Sequence, residues 1–401
     1  MLVVAGGGIF KLPAAAAGVF PEPPTPFQVK WESLELTDVN RMDPYNATHP
    51  RRLMISKFSP VPRPACLGTC RVPYMSQRVA SAEEDLLDLF VDYISQGKTK
   101  WPRGALAESW MQVCCKEVTK DRNNNSVYDD DDGHGHGHVP QKKLPTVLFG
   151  SGFNISRLFY SGTAQHLAGM GYEVITMDHP YESNVVEFPS DGTVILGGRP
   201  DPANTSALEF ALNVRAADAR FVLDTLGFYP QRNNTVVHIG HSFGGAAAAV
   251  AMAADSRIAG GVNLDGSMFG SVLSTGVAPR PFLLLGSEGH NSSTPTETSW
   301  RQFINSTRRR PHGEKAWLKE VNLAGSLHWS LHDFSIFADV TPGLRANEDL
   351  VTFFFGRILG SRVMEILREY LSDFVEFALG RSGNEGLLVG PSQRFPEISF
   401  L

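Results

Sequence analysis

Apolar residues follow two alternating patterns along most of the chain. Short runs rich in β-branched residues are separated by longer segments in which apolar positions recur every three or four residues. The runs predict strands buried on both faces, and the longer segments predict helices. We expect strands at 146–149, 172–177, 236–239, 258–264, 282–285 and 321–323, and helices at 155–170, 206–226 and 246–252. This alternation predicts an α/β fold, with a mainly parallel central sheet covered by helices on both faces.

The flanking regions follow other patterns. Before the alternating part we expect strands at 29–36 and 52–58 and a helix at 82–93. After it we expect an amphipathic helix at 346–379, followed by a loop tail. We therefore predict one domain over 27–401. A leader and a proline-rich spacer at 1–26 precede it.

One insert breaks the pattern. Residues 123–138 contain four consecutive aspartates, 129–132, and alternating glycine and histidine, which are too polar to pack. We predict a disordered loop there. Alternating histidines can also ligate zinc or nickel, but we assign no metal and no cofactor to this protein.

Charge limits the choice of partners. The net charge is −6 with 19% charged residues, whereas phosphate binding needs a concentrated basic face. We therefore expect no nucleic-acid partner, and we interpret the basic run 308–312 as a solvated loop. The apolar stretch 351–371 carries charges at helical spacing, so it is not expected to span a membrane.

Several features favour secretion. The N-terminal 20 residues are apolar but lack a basic start and contain Lys11, which makes an imperfect signal peptide. Four cysteines could form disulfides whose pairing the sequence leaves open: Cys66, Cys70, Cys114 and Cys115. Sequons for N-glycosylation begin at Asn46, Asn124, Asn154, Asn204, Asn233, Asn291 and Asn305.

The strongest chemical signal is Gly240-His-Ser-Phe-Gly244. It lies between an apolar strand and an alanine-rich helix, which is the setting that a strained nucleophile turn requires. Ser242 is the predicted nucleophile. The N–H of Phe243, which opens the helix, is one predicted oxyanion donor.

The partners of the serine should follow it in the order acid, histidine. Four histidines follow Ser242: His290, His312, His328 and His332. We favour His328, because it lies just beyond the last core strand. The acid is either Asp265, at the end of the strand 258–264, or Glu288, after the strand 282–285, and the residues alone leave this choice open.

A second oxyanion donor should come from the loop after the first core strand. That loop reads Phe149-Gly-Ser-Gly-Phe-Asn154, and its small residues let the backbone approach a reacting carbonyl. The N–H of Phe153 is the predicted donor.

With these motifs, the chain resembles the platelet-activating-factor acetylhydrolases, particularly the secreted fungal members. The resemblance extends from about Phe27 to Leu401. The likeness rests on three stretches: Gly240-His-Ser-Phe-Gly-Gly245, Leu264-Asp-Gly-Ser-Met-Phe269 and Gly325-Ser-Leu-His-Trp-Ser-Leu-His-Asp-Phe334. The resemblance implies an α/β-hydrolase fold. It also implies that the acid is Asp265, the histidine His328 and the oxyanion residue of the first loop Phe153.

The family further implies calcium-independent removal of short or oxidised sn-2 acyl chains from phospholipids. The loop here reads Ser-Gly-Phe-Asn where the animal enzymes carry His-Gly-Leu-Gly, so acyl preference does not carry over. We expect a serine esterase with a lipid or small ester substrate and transient contact with a lipid surface. The alternatives are an esterase acting on neutral esters, such as a cutinase or polyester hydrolase, and an inactive hydrolase fold that only binds.

Overall fold

The computed structural model describes residues 18, 20, 22–118, 144–198, 200–228, 236–277, 279–309, 316–341 and 343–401. Most of the leader, the insert at 123–138, the sequons at Asn124 and Asn233, and His312 lie outside the described residues. The basic run 308–312 is described only in part.

Thirteen strands are found in the described part of the chain. They are β1 (Phe27–Met42), β2 (Pro50–Pro62), β3 (Cys66–Pro73), β4 (Trp110–Glu117), β5 (Thr146–Gly150), β6 (Glu173–Met177), β7 (Val185–Phe188), β8 (Thr193–Leu196), β9 (Val236–His241), β10 (Ile258–Leu264), β11 (Phe282–Ser287), β12 (Leu318–Leu323) and β13 (Ile398–Phe400).

Nine α-helical segments accompany them within the same described ranges. They are α1 (Gln77–Ile94), α2 (Ser161–Ala168), α3 (Thr205–Thr225), α4 (Phe243–Ala254), α5 (Val272–Thr275), α6 (Thr298–Arg308), α7 (Phe334–Val340), α8 (Glu348–Leu350) and α9 (Gly360–Ala378).

Nine strands form one sheet in the order β1-β2-β6-β5-β9-β10-β11-β12-β13. The six strands from β6 to β12 run parallel, and β1, β2 and β13 are antiparallel to their neighbours. This arrangement confirms the predicted α/β-hydrolase fold with a mainly parallel sheet. The carboxyl ends of β5, β9, β10 and β12 meet at one edge, where the loops that carry the candidate residues also lie.

Helices cover the sheet on both faces, and each central strand contributes side chains to both layers. In β5, Val147 and Phe149 pack in the layer with α1, α2, α7 and α9, whereas Leu148 packs in the layer with α3, α4 and α6. Burial on both faces explains why β5 is apolar at consecutive positions instead of at alternate ones.

Two expectations for the C-terminal region were wrong. The helix predicted over 346–379 is interrupted, because α8 and a π-helix, Val351–Phe355, end at Gly356 before α9 begins. Gly356 has a φ of 75°, and a β-carbon there would lie 2.7 Å from the Gly325 carbonyl oxygen. The tail predicted as loop contains β13, which pairs with β12 at the edge of the sheet.

Two small antiparallel sheets lie outside the main one. Strands β3 and β4 form the first, and β7 and β8 form the second. The first sheet carries two disulfides, Cys66–Cys114 and Cys70–Cys115, so each cysteine of one sequence pair bonds to a cysteine of the other. Within the described ranges, no helix is both long and apolar enough to cross a membrane.

Candidate active site

Ser242 lies in a sharp turn between β9 and α4. Its backbone angles φ and ψ are 56° and −127°, a conformation that residues other than glycine rarely adopt. Such a turn lifts the serine out of both elements at the carboxyl edge of the sheet. Ser242 is half-buried there, so its hydroxyl remains within reach of a substrate.

The turn requires glycine on both sides of the serine. A β-carbon at Gly240 would overlap the Gly244 backbone, and one at Gly244 would overlap the carbonyl of Gly150 in β5. These glycines let the strand, the turn and the neighbouring strand approach closely. The spacing in the sequence therefore reflects a steric requirement of this turn.

His328 contacts both Ser242 and Asp265. Its Nε2 lies 3.0 Å from Ser242 Oγ, and its Nδ1 lies 2.7 Å from Asp265 Oδ2. Because an aspartate carboxylate accepts a hydrogen bond, Nδ1 carries the hydrogen and Nε2 is free to accept the serine proton. The side chain of His328 is 35% exposed, whereas that of Asp265 is 2% exposed.

Asp265 is fixed at the end of β10 by its own backbone and by its neighbours. It has a φ of 60°, and the Ser287 N–H donates to its Oδ1 at 2.6 Å. Burial opposes ionisation of this carboxyl, but hydrogen bonds from His290 and His328 outweigh it and hold the pKa of Asp265 below its ordinary value. Asp265 is therefore a carboxylate at neutral pH.

A second histidine completes this side of the site. His290 Nδ1 lies 2.8 Å from Asp265 Oδ1, and its Nε2 lies 2.9 Å from Glu297 Oε2. Burial disfavours the charged ring, but the two carboxylates outweigh it and raise the pKa of His290 to about 9. Burial likewise opposes ionisation of Glu297, but bonds from His290 and other donors lower its pKa to about 2. We call Asp265, His290 and Glu297 the acid-side network.

The loop after β5 lies on the other side of Ser242. A β-carbon at Gly152 would lie 3.4 Å from that of Ser242, so the loop passes directly beside the serine. The Gly152 N–H donates to the Tyr160 hydroxyl at 2.9 Å, and that hydroxyl lies 2.9 Å from His241 Nδ1. His241 Nε2 lies 3.0 Å from the His328 carbonyl oxygen, so Nε2 carries the hydrogen and Nδ1 accepts from Tyr160.

Arg215 holds the same loop through its carbonyl groups. Its guanidinium donates to the carbonyl oxygens of Ser151 and Gly152, and it forms a buried ion pair with Glu182. The guanidinium also lies 4.9 Å from the centroid of the Phe243 ring. We call Arg215 and Glu182 the loop-side network, and it fixes two carbonyl groups of the loop beside the serine.

The two predicted oxyanion residues are neighbours in space. The rings of Phe153 and Phe243 meet edge to face, with centroids 5.6 Å apart. The Phe243 N–H begins α4, so it has no acceptor within the helix and is available to an anion at the helix N-terminus. The structure therefore brings all five predicted site residues to one edge of the sheet.

The rival candidates lie elsewhere. Glu288 Oε2 accepts the Gly325 N–H at 2.6 Å and has no contact with the His328 ring. His332 is buried, and its Nδ1 accepts the Phe334 N–H. Across the described ranges no group of three histidine, cysteine or acidic residues could hold a metal ion.

Sequence reasoning did not find Arg215, Tyr160, His241 or the role of His290. One signal was available for Arg215, because it falls on the apolar stripe of α3 together with Leu208 and Leu212. An arginine on a buried stripe needs a partner. The other three residues had no such signal, because their burial depends on contacts between distant segments.

The sheet and the strand–serine–helix turn define an α/β-hydrolase. Residues 213–344 match the family described as platelet-activating factor acetylhydrolase, isoform II. A probable 1-alkyl-2-acetylglycerophosphocholine esterase from Arthroderma benhamiae is 37% identical over 391 residues, which cover 96% of this chain and 94% of the relative. A ferulic acid esterase from Streptomyces cinnamoneus has a similar fold, with a TM-score of 0.72 and 24% identity over 96% of this chain and 100% of that one.

The chain belongs to the platelet-activating factor acetylhydrolase family and is a carboxylic ester hydrolase.

Proposed function

We propose that the protein is a secreted serine esterase that removes short or oxidised acyl chains from the sn-2 position of phospholipids. One observation carries the catalytic part of this proposal: His328 lies within hydrogen-bond distance of both Ser242 Oγ and Asp265 Oδ2. The name of the Arthroderma benhamiae relative supports the substrate class. The reaction is ester hydrolysis through an acyl-enzyme.

In the first half of the reaction, Ser242 Oγ bonds to the acyl carbonyl carbon while its proton passes to His328 Nε2. The resulting oxyanion is held by the N–H groups of Phe153 and Phe243. The bond to the leaving alcohol then breaks, and His328 returns the proton to that oxygen. Asp265 orients the imidazole and stabilises its charged form.

In the second half, a water molecule bonds to the acyl carbon, and His328 accepts a proton from it. The bond to Ser242 Oγ breaks and the serine regains its proton. The products are a carboxylic acid and free enzyme. No residue outside the site already described is required for these steps.

The catalytic proposal is tested by Ser242→Ala with p-nitrophenyl acetate. We expect the loss of about 10⁴-fold or more in kcat, because no other nucleophile faces His328 in the described residues. Retention of esterase activity would refute the assignment. Labelling of the wild type by a fluorophosphonate, and none of Ser242→Ala, would exclude an inactive fold that only binds.

The substrate class is tested separately with an sn-2 acetyl ether phospholipid and tributyrin. We expect a higher kcat/KM on the phospholipid. A preference for tributyrin would favour an enzyme acting on neutral esters, such as a cutinase, without affecting the catalytic assignment.

Exposed apolar side chains support contact with a lipid surface. Leu86, Leu89 and Tyr93 lie at helical spacing on the outer face of α1, and Phe353 is exposed on the π-helix. We call these four residues the apolar rim. Replacing Leu89 and Tyr93 with serine should weaken sedimentation with phosphatidylcholine vesicles about tenfold, while hydrolysis of p-nitrophenyl acetate stays unchanged. Equal vesicle binding would argue against this surface.

Secretion rests on two kinds of observation. The disulfides Cys66–Cys114 and Cys70–Cys115 fit an oxidising compartment. Among the sequon asparagines, Asn204 and Asn305 are exposed and could carry glycans. Recovery of the protein from the medium would test secretion, and a shift in its mass after glycosidase treatment would test glycosylation.

A further inference from the structure

A cavity of about 290 Å³ lies at the same edge of the sheet as Ser242. Its wall includes Phe153 and Asn154 from the loop beside the serine, and Trp329, which follows His328 in the chain. Helix α1 closes the opposite side. The cavity is therefore bounded by the segments that carry the candidate oxyanion residue and the candidate base.

Aromatic residues supply half of the cavity wall, six of its twelve lining residues. Trp329, Phe90 and Phe354 meet in tilted or edge-to-face contacts, with centroids 5.1 to 5.7 Å apart. A flat aromatic guest can extend such a set of edge-to-face contacts, which adds to the free energy from apolar burial. The aromatic residues of the wall are Phe90, Phe153, Phe159, Trp329, Phe334 and Phe354.

One acidic side chain, Glu83 of α1, lies in this aromatic wall. It is 2% exposed, and its Oε2 accepts a hydrogen bond from Asn184 Nδ2 at 3.2 Å. Its Oε1 is buried and has no hydrogen-bond partner among the described residues. Burial, with a smaller contribution from Asp178, raises the pKa of Glu83 to about 8, so the carboxyl is neutral at pH 7.

A second polar atom in the wall is also unsatisfied. Asn154 Oδ1 is buried and has no hydrogen-bond partner among the described residues. A neutral carboxyl can donate or accept a hydrogen bond, and an amide oxygen accepts one. A hydroxyl group, which both donates and accepts, can therefore bond to either wall atom, whereas a group that only accepts can bond only to the neutral carboxyl.

We propose that this cavity binds the acyl part of aromatic esters that carry a hydroxyl on the ring, with Glu83 as the residue that recognises the hydroxyl. This rests on the proposed serine-esterase function and adds a substrate class to it. The acyl side is assigned because Phe153 and Asn154, beside the carbonyl site, line the cavity, whereas His328, which must reach the leaving oxygen, does not.

The test compares methyl esters of three acids: phenylpropanoic acid, its para-hydroxy derivative and hexanoic acid. For the wild type we expect kcat/KM to be about five- to tenfold higher for the hydroxylated ester than for the unhydroxylated one. Both aromatic esters should exceed the hexanoate. Hydrolysis of p-nitrophenyl acetate, whose acyl group has neither a ring nor a hydroxyl, reports on the catalytic residues alone.

Three variants assign the effect to Glu83. Glu83→Leu should reduce the ratio between the hydroxylated and unhydroxylated esters to about one, whereas Glu83→Gln, which keeps a donor and an acceptor, should retain most of it. Glu84→Gln is the matched control, since Glu84 is the next residue of α1, is also buried, and bonds to the N–H groups of Gly104 and Leu106 outside the cavity. It should leave the ratio unchanged.

Three results would overturn the proposal. The first is a wild-type ratio of one while p-nitrophenyl acetate is hydrolysed, which would leave the serine-esterase function intact. The second is an unchanged ratio in Glu83→Leu. The third is a hydroxyl preference that appears only when the aromatic group is moved to the alcohol side, in hydroxyphenylpropyl acetate. Absence of activity on p-nitrophenyl acetate would instead refute the catalytic assignment itself.

Discussion

Two buried polar networks hold the two sides of Ser242, and they differ in how they carry charge. The loop-side network uses the Arg215 guanidinium, and arginine side chains are not deprotonated in proteins. The acid-side network uses the His290 imidazole between Asp265 and Glu297, and that ring can lose its proton. The acid side is therefore expected to depend on pH through His290.

The networks also differ in what they hold. Arg215 binds backbone carbonyls, so it fixes the path of a loop. His290 and His328 each bond to one oxygen of the Asp265 carboxylate, so the two histidines share its negative charge. Damage to the first should displace N–H donors, and damage to the second should change proton transfer.

Within these two networks, the largest effect should come from Asp265→Asn. The amide cannot hold His328 in the required tautomer or stabilise its charged form, so we expect kcat to fall about 10³- to 10⁴-fold. Glu288→Gln, the alternative acid, should change kcat less than about twofold. Steady-state kinetics on p-nitrophenyl acetate measure both, and a larger loss at Glu288 would reverse the assignment.

The next largest effect should come from Arg215→Met. It removes the donors to Ser151 and Gly152 and leaves Glu182 buried without its partner, which typically costs about 3 to 5 kcal/mol of unfolding free energy. We expect kcat to fall about 10²-fold with little change in KM, because the oxyanion contacts matter most in the transition state. Arg220→Met, at an exposed position of the same helix, is the control. If both variants behaved alike, Arg215 would have no specific role.

Double substitution at Arg215 and Glu182 would separate stability from catalysis. Replacing both residues by apolar ones removes the uncompensated charge, so the unfolding free energy should partly recover. The loss of kcat should persist, because the loop carbonyls remain without donors. Recovery of both quantities would mean that Arg215→Met acts through stability alone.

The smallest effect should come from His290→Gln, and it should depend on pH. Without the positive charge of His290, the Asp265 carboxylate should stabilise the protonated form of His328 more strongly. The acidic limb of the profile of kcat/KM against pH should therefore move to higher pH. A fall in kcat of about tenfold or less is expected at neutral pH. An unchanged profile would show that His290 contributes only to folding.

Stability gives an independent readout of the same residue. Because folding raises the pKa of His290 to about 9, its stabilising contribution is complete below its ordinary pKa of about 6.5 and is lost as pH rises through about 9. The wild type should therefore lose more thermal stability than His290→Gln between about pH 6.5 and 9. Parallel curves for the two proteins would contradict the buried cation.

Much of the sheet could be predicted because its strands are apolar on both faces. The runs that became β5, β9 and β10 have no competing interpretation at their length. The two-stranded sheet of β3 and β4 and the strand β13 were missed, since these strands bury few of their side chains. The single helix expected over 346–379 failed at Gly356, whose conformation depends on the distant Gly325.

The contacts of the candidate residues were less predictable than their positions. Ser242, Asp265 and His328 follow strand ends, so a sequence pattern can locate them. The choice between Asp265 and Glu288 needed the family resemblance, because both follow neighbouring strands. The partners Tyr160, Arg215 and His290 lie on separate segments, and only the fold brings them to the site.

The two disulfides join β3 to β4 across the segment that contains α1. That segment connects the two strands of a small sheet, and it carries Glu83 and most of the apolar rim. The main sheet, which positions Ser242, contains neither cross-link. Evolution could therefore replace or lengthen the α1 segment between the cross-linked strands. Such a change would alter ester specificity without altering the strands that hold Ser242.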